Sequence, residues 1–168
     1  MLSLLFMGFA LTMLISAFYD MATMTIPNWI SGVLIVLFMI AAPLSGMGWS
    51  AIGLHVLVGF GALAITVAMF AFGWVGGGDA KLFAAAALWM GWPGALMFAA
   101  YAALAGGVLT IVLLLARKYP MPSHLQSWKW SARLLKEGGD VPYGIGICAG
   151  ALLAFPETSL FLTANALG

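Results

Sequence analysis

The chain has 168 residues, of which 64% are hydrophobic and only 7% are charged, and its formal net charge is +1. About a quarter of the residues of a soluble domain are charged, so this composition excludes a water-soluble globular protein. The small net charge and the lack of a basic tail give no reason to expect nucleic acid as a partner. We therefore expect an all-α integral membrane protein surrounded by lipid.

Hydropathy predicts about six transmembrane helices, which would form one membrane-embedded domain over residues 1–168. The predicted spans cover residues 2–19, 29–46, 51–72, 80–92, 95–116 and a last segment from 143 toward the C-terminus. No Lys or Arg precedes Lys81, and a signal peptide would need a basic start. The first apolar segment is thus expected to be a retained span.

The basic residues predict how the protein is oriented in the membrane. Five of the six lie in the loop between spans five and six, which the positive-inside rule places in the cytoplasm. Both termini would then face outward. Asp20, at the end of span one, and Asp79, at the start of span four, would lie on the cytoplasmic side. The loop residues are Arg117, Lys118, Lys129, Arg133 and Lys136.

Part of this loop has helical spacing. An apolar stripe and an adjacent basic face predict an amphipathic helix on the inner membrane surface, beginning near Ser123 and ending at Gly138–Gly139. It would act either as a topology determinant alone or as a contact for anionic lipid or substrate. The stripe comprises Leu125, Trp128, Ala132 and Leu135, and the basic face comprises Lys129, Arg133 and Lys136.

Asp20 and Asp79 are the only acidic residues in the first 136 positions. Ionisable groups at membrane depth are costly and are candidates for function. Two close carboxylates share a proton, so one can take a proton from water while the other donates to a scissile carbonyl oxygen. That chemistry requires no metal or other cofactor. The alternative is that each Asp only caps a helix or marks the end of a span.

Local sequence favours a functional role for Asp79. It follows three glycines. The span that it opens has 13 predicted residues and is about 20 Å long, which is shorter than a ~30 Å hydrocarbon core. Asp79 is therefore expected to be recessed in a water-filled notch. Lys81 would either tune the carboxylates, contact substrate or extend to the interface. His55 is expected near the outer end of span three, far from the aspartates, and His124 has no acidic or Cys partner at ligand spacing, so we expect structural roles for both.

Three segments resemble the motifs of type IV prepilin peptidases. Residues 76–82 are similar to the GxGD-x-K motif of that family. The first-aspartate motif is similar to Asp20 and the Ile-Pro-Asn that follows at 26–28. Residues 141–145 resemble the Pro-Tyr-Gly signature. The motif order is that of the family, and the resemblance extends over essentially the whole chain. The matching residues are Asp20, Pro27, Asn28, Gly76, Gly78, Asp79, Lys81, Pro142, Tyr143 and Gly144.

The resemblance implies a GxGD membrane aspartic protease in the bacterial inner membrane. It implies cleavage of the short basic leader of pilin-like precursors at the cytoplasmic face, with Asp20 and Asp79 as the catalytic aspartates. The chain starts at its first span and has no Cys-x-x-Cys, so it resembles the short, peptidase-only Tad/Cpa-type (Flp pilus) members without an N-terminal methyltransferase or zinc region. Residues 21–25 are uncharged where relatives often carry Arg or Lys.

Two other classes of function stay open at this point. A small transporter or channel subunit could use Asp20 and Asp79 as a proton or cation site, although no internal repeat is visible. A non-catalytic pilus assembly factor would tolerate the loss of either Asp. The sequence does not indicate an oligomeric state.

Overall fold

A computed structural model describes residues 1–119 and 128–166, and the secondary structure elements of this part of the chain are all helices, without strands. The all-α prediction is confirmed for these residues. The helices are α1 (Leu2–Thr23), α2 (Asn28–Leu44), α3 (Trp49–Ala71), α4 (Gly77–Ala116), α5 (Lys129–Leu134), α6 (Tyr143–Ala154) and α7 (Ser159–Ala166), with a 3₁₀ turn at Phe155–Glu157.

The long helix α4 is a hairpin. Its backbone leaves helical geometry at Gly91 (φ 60°, ψ −167°) and Trp92, and only glycine adopts such a positive φ without steric penalty. The rings of Phe83 and Phe98 stack with centroids 4.5 Å apart, whereas a straight helix would separate these positions by about 22 Å. Residues 77–90 (α4a) and 93–116 (α4b) therefore run antiparallel, and the kink coincides with the predicted boundary between spans four and five.

Three of the described helices are long and apolar enough to cross a membrane, namely α1, α3 and the hairpin α4. The helix α2 and the segment Tyr143–Glu157 are apolar but shorter. With the hairpin counted as two, these segments follow the order of the six predicted spans, while the number of membrane crossings remains a prediction.

An aromatic cluster joins α1, α2, α4a and the 3₁₀ turn at the centre of the molecule. Trp89 is fully buried, and its ring contacts Phe9 and Phe38 at centroid distances of 4.7 and 5.8 Å. Phe155 packs against Phe9 at 4.7 Å. The indole N–H of Trp89 donates to the backbone oxygen of Leu34 at 2.9 Å, so the largest core side chain has its polar atom satisfied.

Helices α4b and α6 touch through their backbones. A Cβ on Gly146 would lie 2.8 Å from the backbone nitrogen of Gly106, and one on Gly150 would lie 2.5 Å from that of Ala102. Small residues permit this approach between apolar helices. Gly146 and Gly150 thus set α6 directly against α4b.

His55 is a buried cross-link at the kinked end of the hairpin. Its Nδ1 lies 2.8 Å from the oxygen of Leu88, its Nε2 lies 3.4 Å from Oγ of Ser159, and its ring packs directly against Gly91. The structural role expected for His55 fits these contacts. His124 lies outside the described residues.

The loop between α4 and α6 contains a shorter helix than the pattern predicts. Helix α5 ends at Leu134, before the predicted stop at Gly138–Gly139, and Gly138 has a φ of 69°. Ser123 and Leu125, which would begin the amphipathic helix, lie outside the described residues. An interfacial position for this helix stays a prediction.

Candidate active site

Asp20 lies in the last turn of α1 and is 5% exposed. The helix ends three residues later, at Thr23, where Met24 adopts the left-handed conformation (φ 55°) and donates its N–H to the oxygen of Asp20 at 2.8 Å. The carboxylate is directed at the start of α6. The backbone N–H of Gly144 donates to Oδ2 of Asp20 at 2.7 Å.

Gly144 is able to make this bond because it lies in the first turn of α6, where backbone N–H groups have no partner within the helix. Pro142 is the N-cap of α6 and has no N–H to compete. A Cβ on Gly144 would lie 2.8 Å from Oδ2 of Asp20, so any other residue would displace either the Asp20 side chain or α6. The Pro-Tyr-Gly segment thus supplies a backbone donor to the first aspartate.

Asp79 occupies the first turn of α4a, with Gly76 as the N-cap. A Cβ on Gly76 would lie only 2.9 Å from Oδ2 of Asp79. Among the described residues, Oδ1 of Asp79 is the one fully buried side-chain oxygen or nitrogen without a hydrogen-bond partner. A buried polar atom in this state is unusual in a native protein and calls for a partner such as a water or a ligand.

Ile26 connects the surroundings of the two aspartates. A Cβ on Gly78 would lie 3.1 Å from Cβ of Ile26 and 3.3 Å from its backbone nitrogen and oxygen, and one on Gly144 would lie 2.9 Å from its Cδ1. Ile26 is 9% exposed. Asp20 and Asp79 therefore approach each other around one apolar side chain, and Asp79 lies within electrostatic range of Asp20.

The three glycines before Asp79 differ in their steric surroundings. Gly76 leaves space for the Asp79 carboxylate, and Gly78 leaves space for Ile26. The intervening Gly77 meets only the ring of Phe70, at an ordinary 3.4 Å. The structure thus gives a steric reason for glycine at the first and third positions and none at the second.

A hydrogen bond between Lys81 and Asn28 joins α4a to the start of α2. Pro27 is the N-cap of α2, and the Nζ of Lys81 donates to Oδ1 of Asn28 at 2.9 Å in an exposed position. Lys81 therefore connects the start of α2 to α4a. This contact is a fourth possibility beside the three roles that the sequence left open for Lys81.

Sequence reasoning missed Arg117, which it treated only as a topology determinant. Its guanidinium donates to the backbone oxygens of Leu134, Gly139 and Asp140 at 3.0, 2.8 and 2.7 Å. These carbonyls precede Pro142 and Gly144 by a few residues. A planar group with several fixed donors suits such a contact, and Arg117 thereby ties the segment leading into α6 to the end of α4b.

A cavity of about 670 Å³ opens beside Asp79. It is a groove between α3 and α4b, and its floor is one side of α4a, formed by Asp79, Phe83 and Ala87 at successive turns. Tyr143, at the start of α6, also lines it. Most of the residues that line this cavity are apolar. The water-filled notch below the membrane surface stays a prediction.

The arrangement is suited to acid–base chemistry by a carboxylate pair. Asp20 is held by a backbone donor, Asp79 has an unused oxygen, and a peptide could reach Asp79 from the groove. Within residues 1–119 and 128–166, no three His, Cys, Asp or Glu side chains come together as a metal site. Helices α1, α4a and α6 supply the parts of the candidate site.

Comparison with known proteins adds a family assignment. The model of the type IV leader peptidase family matches residues 7–111. The matched region contains Asp20 and Asp79 and ends before the Pro-Tyr-Gly segment. Neither the curated proteins nor the solved structures give a significant match. Since the family match covers more than half of the chain, the protein belongs to the type IV leader peptidase family.

Proposed function

We propose that the protein is an aspartic-type endopeptidase that removes the basic leader of pilin-like precursors, with Asp20 and Asp79 as its catalytic pair. The observation that carries the proposal is the buried, unpartnered Oδ1 of Asp79, a residue that lies near Asp20 and lines a groove. Family membership supplies the reaction class.

The proposed reaction uses one proton shared by the pair. The ionised carboxylate takes a proton from water, whose oxygen forms a bond to the scissile carbonyl carbon, while the protonated carboxyl donates to the carbonyl oxygen. Collapse of the tetrahedral intermediate breaks the C–N bond, and the leaving nitrogen takes up a proton to become the new N-terminus. Because the two acids titrate together, the proton belongs to the pair.

We further propose six membrane crossings with the aspartates toward the cytoplasm of a bacterial inner membrane. Arg133 donates to the backbone oxygen of Ala22 at 3.2 Å, just beyond Asp20 in α1. The basic loop and the candidate site therefore lie at the same end of the molecule. The positive-inside rule assigns that end to the cytoplasm. We also propose that the protein belongs to the short Flp/Tad-type group of the family.

The test is cleavage of pilin-like precursors in liposomes by the wild type and by Asp20→Asn and Asp79→Asn, scored by the gel shift on leader loss. Because acid–base groups contribute about 10²–10⁴-fold, each folded variant should lose at least about 100-fold in rate. Cleavage by both variants at the wild-type rate would refute the assignment of the pair. A folded wild type that cleaves no precursor would refute the peptidase proposal and favour a transporter or an assembly factor.

A further inference from the structure

The end of α1 that carries Asp20 has no cation of its own. The C-terminus of a helix exposes carbonyl oxygens that lack a partner within the helix, and a nearby positive charge stabilises them. The last turn of α1 contains both Asp20 and Ala22 but no basic residue. A cation that stabilises this turn must therefore come from another part of the protein.

Arg133 supplies this cation from α5. Its Nη1 donates to the backbone oxygen of Ala22 at 3.2 Å, in an exposed position. Ala22 follows Asp20 by two positions, within the same helical turn. Arg133 therefore caps the C-terminus of α1 from a different helix, next to the backbone that carries the Asp20 side chain.

Arg117 continues the connection from α5 to the start of α6. Its Nε donates to the oxygen of Leu134 at 3.0 Å, and Leu134 is the last residue of α5 and the neighbour of Arg133. Its Nη1 and Nη2 donate to the oxygens of Gly139 and Asp140 at 2.8 and 2.7 Å. One guanidinium at the end of α4b thus holds α5 together with the segment that leads into α6.

These hydrogen bonds close a ring around the Asp20 end of α1. The ring passes from α1 through Arg133 to α5, through Arg117 to the segment before α6, and back to α1 through the bond from Gly144 to Asp20. Every link joins residues that the structure describes. Asp20 is therefore held from two sides, by Gly144 on its carboxylate and by Arg133 on the backbone of its helical turn.

We propose that Arg133 is a positioning residue for the reaction, which fixes the last turn of α1 and thereby the direction of the Asp20 carboxylate. The inference rests on the proposed function and gives the basic loop a task beyond membrane topology. In this role Arg133 acts through the backbone of Ala22 and does not contact the reacting atoms. Loss of the contact loosens the turn that carries Asp20, so the chemical step slows while binding of the precursor is largely retained.

Matched charge variants separate this role from membrane orientation. Lys136 lies in the same loop and is exposed, so Lys136→Met removes the same charge as Arg133→Met. In liposomes, kcat for the precursor should fall about fivefold in Arg133→Met, with KM within about twofold of the wild type. Arg133→Lys should keep at least about half of the wild-type kcat, because one ammonium can donate to one carbonyl oxygen. Equal kcat in Arg133→Met and Lys136→Met, or no recovery in Arg133→Lys, would overturn the proposal.

Hydrogen exchange tests the geometry without depending on turnover. Met24 donates its amide N–H to the backbone oxygen of Asp20, and Gly144 donates to the Asp20 carboxylate. Exchange at both amides should be at least about threefold faster in Arg133→Met than in Lys136→Met, with unchanged exchange in the core of α4a. Wild-type exchange at Met24 would overturn the proposal even if kcat falls, because Arg133 would then act by contact with the precursor.

A double variant tests the ring. If Arg117 and Arg133 act through one ring, opening it a second time has little further effect. The variant with both Arg117→Gln and Arg133→Met should then lose about tenfold in kcat, like Arg117→Gln alone, whereas independent effects would multiply to about 50-fold and contradict the ring. If the wild type cleaves nothing, the proposed function fails, while hydrogen exchange still decides whether Arg133 holds the end of α1.

Discussion

The backbone N–H of Gly144 donates to Oδ2 of Asp20 at 2.7 Å, although 124 positions separate the two residues in the chain. The bond joins the first long helix to α6 at the candidate site. It gives the Asp20 carboxylate a fixed direction in a place where few polar groups are available. The geometry of the aspartate pair thus depends on the last part of the chain as much as on the two acids.

The first prediction concerns Gly144. In Gly144→Ala the added Cβ collides with the side chains of Asp20 and Ile26, so either α6 or the Asp20 carboxylate must shift. Since a displacement of about 1 Å can reduce a catalysed rate by ~10²-fold, we expect kcat to fall about 100-fold in the precursor assay. The control is Gly32→Ala in α2, where a Cβ meets nothing within 4 Å. Wild-type kcat in Gly144→Ala would contradict the positioning role.

The second prediction separates the glycines that precede Asp79. Gly78→Ala brings a Cβ to 3.3 Å from the Ile26 backbone, whereas Gly77→Ala makes only an ordinary contact with Phe70. We expect Gly78→Ala to lose at least tenfold in kcat/KM and Gly77→Ala to stay within about threefold. Cleavage rates measured side by side, at matched protein levels, would test this. Equal losses would mean that the Ile26 contact does not decide the requirement for glycine.

The third prediction concerns Arg117. Lysine keeps the charge but cannot donate to three carbonyl oxygens from one planar group. Arg117→Lys and Arg117→Gln should therefore both lose about tenfold in kcat, with faster hydrogen exchange at the amide of Gly144. Lys118→Gln removes a neighbouring exposed charge and serves as the control. Full activity in Arg117→Lys would show that the charge, rather than the carbonyl contacts, is what matters.

The fourth prediction distinguishes two roles for Lys81. If it only ties α2 to α4a through Asn28, a double-mutant cycle of Lys81→Met and Asn28→Ala should give a coupling energy of at most about 1 kcal/mol in stability, because the pair is exposed. The two single variants should then lose similar, small amounts of activity. A loss above tenfold in Lys81→Met alone would point instead to a contact with substrate.

The fifth prediction concerns the kink in α4. In Gly91→Ala the new Cβ would collide with the ring of His55, at a position with a φ of 60°. Both effects destabilise the fold, and we expect a loss of about 2–4 kcal/mol, seen as a lower midpoint of thermal unfolding in detergent. Gly53→Ala, with open space around its Cβ, should unfold like the wild type.

The sequence is sufficient to predict the helical segments and the two candidate acids. Long apolar runs and their breaks give the elements, and acids are conspicuous where almost every residue is apolar. The kink of α4 also follows from sequence, because Gly91, Pro93 and Gly94 interrupt an apolar run. The sequence does not predict the backbone geometry of this turn, in which Gly91 has a φ of 60° and a ψ of −167°.

The contacts around the aspartates could not be predicted, for physical reasons. Helices that are apolar on all sides have no periodicity to indicate which face meets which neighbour. The donor to Asp20 is a backbone N–H, which every residue except proline possesses. The ligands of Arg117 are backbone carbonyls, so the sequence offers only an arginine in a basic loop.

The position of Ile26 between the two aspartates suggests a way to inhibit the protein. Its side chain touches the backbone that carries Asp79 on one side and the helix start that holds Asp20 on the other. A small apolar compound that displaces Ile26 would disturb both carboxylates at once, without carrying a charge of its own. Such a compound would be chosen for its fit to a hydrocarbon side chain, and it would need no group that imitates the peptide bond.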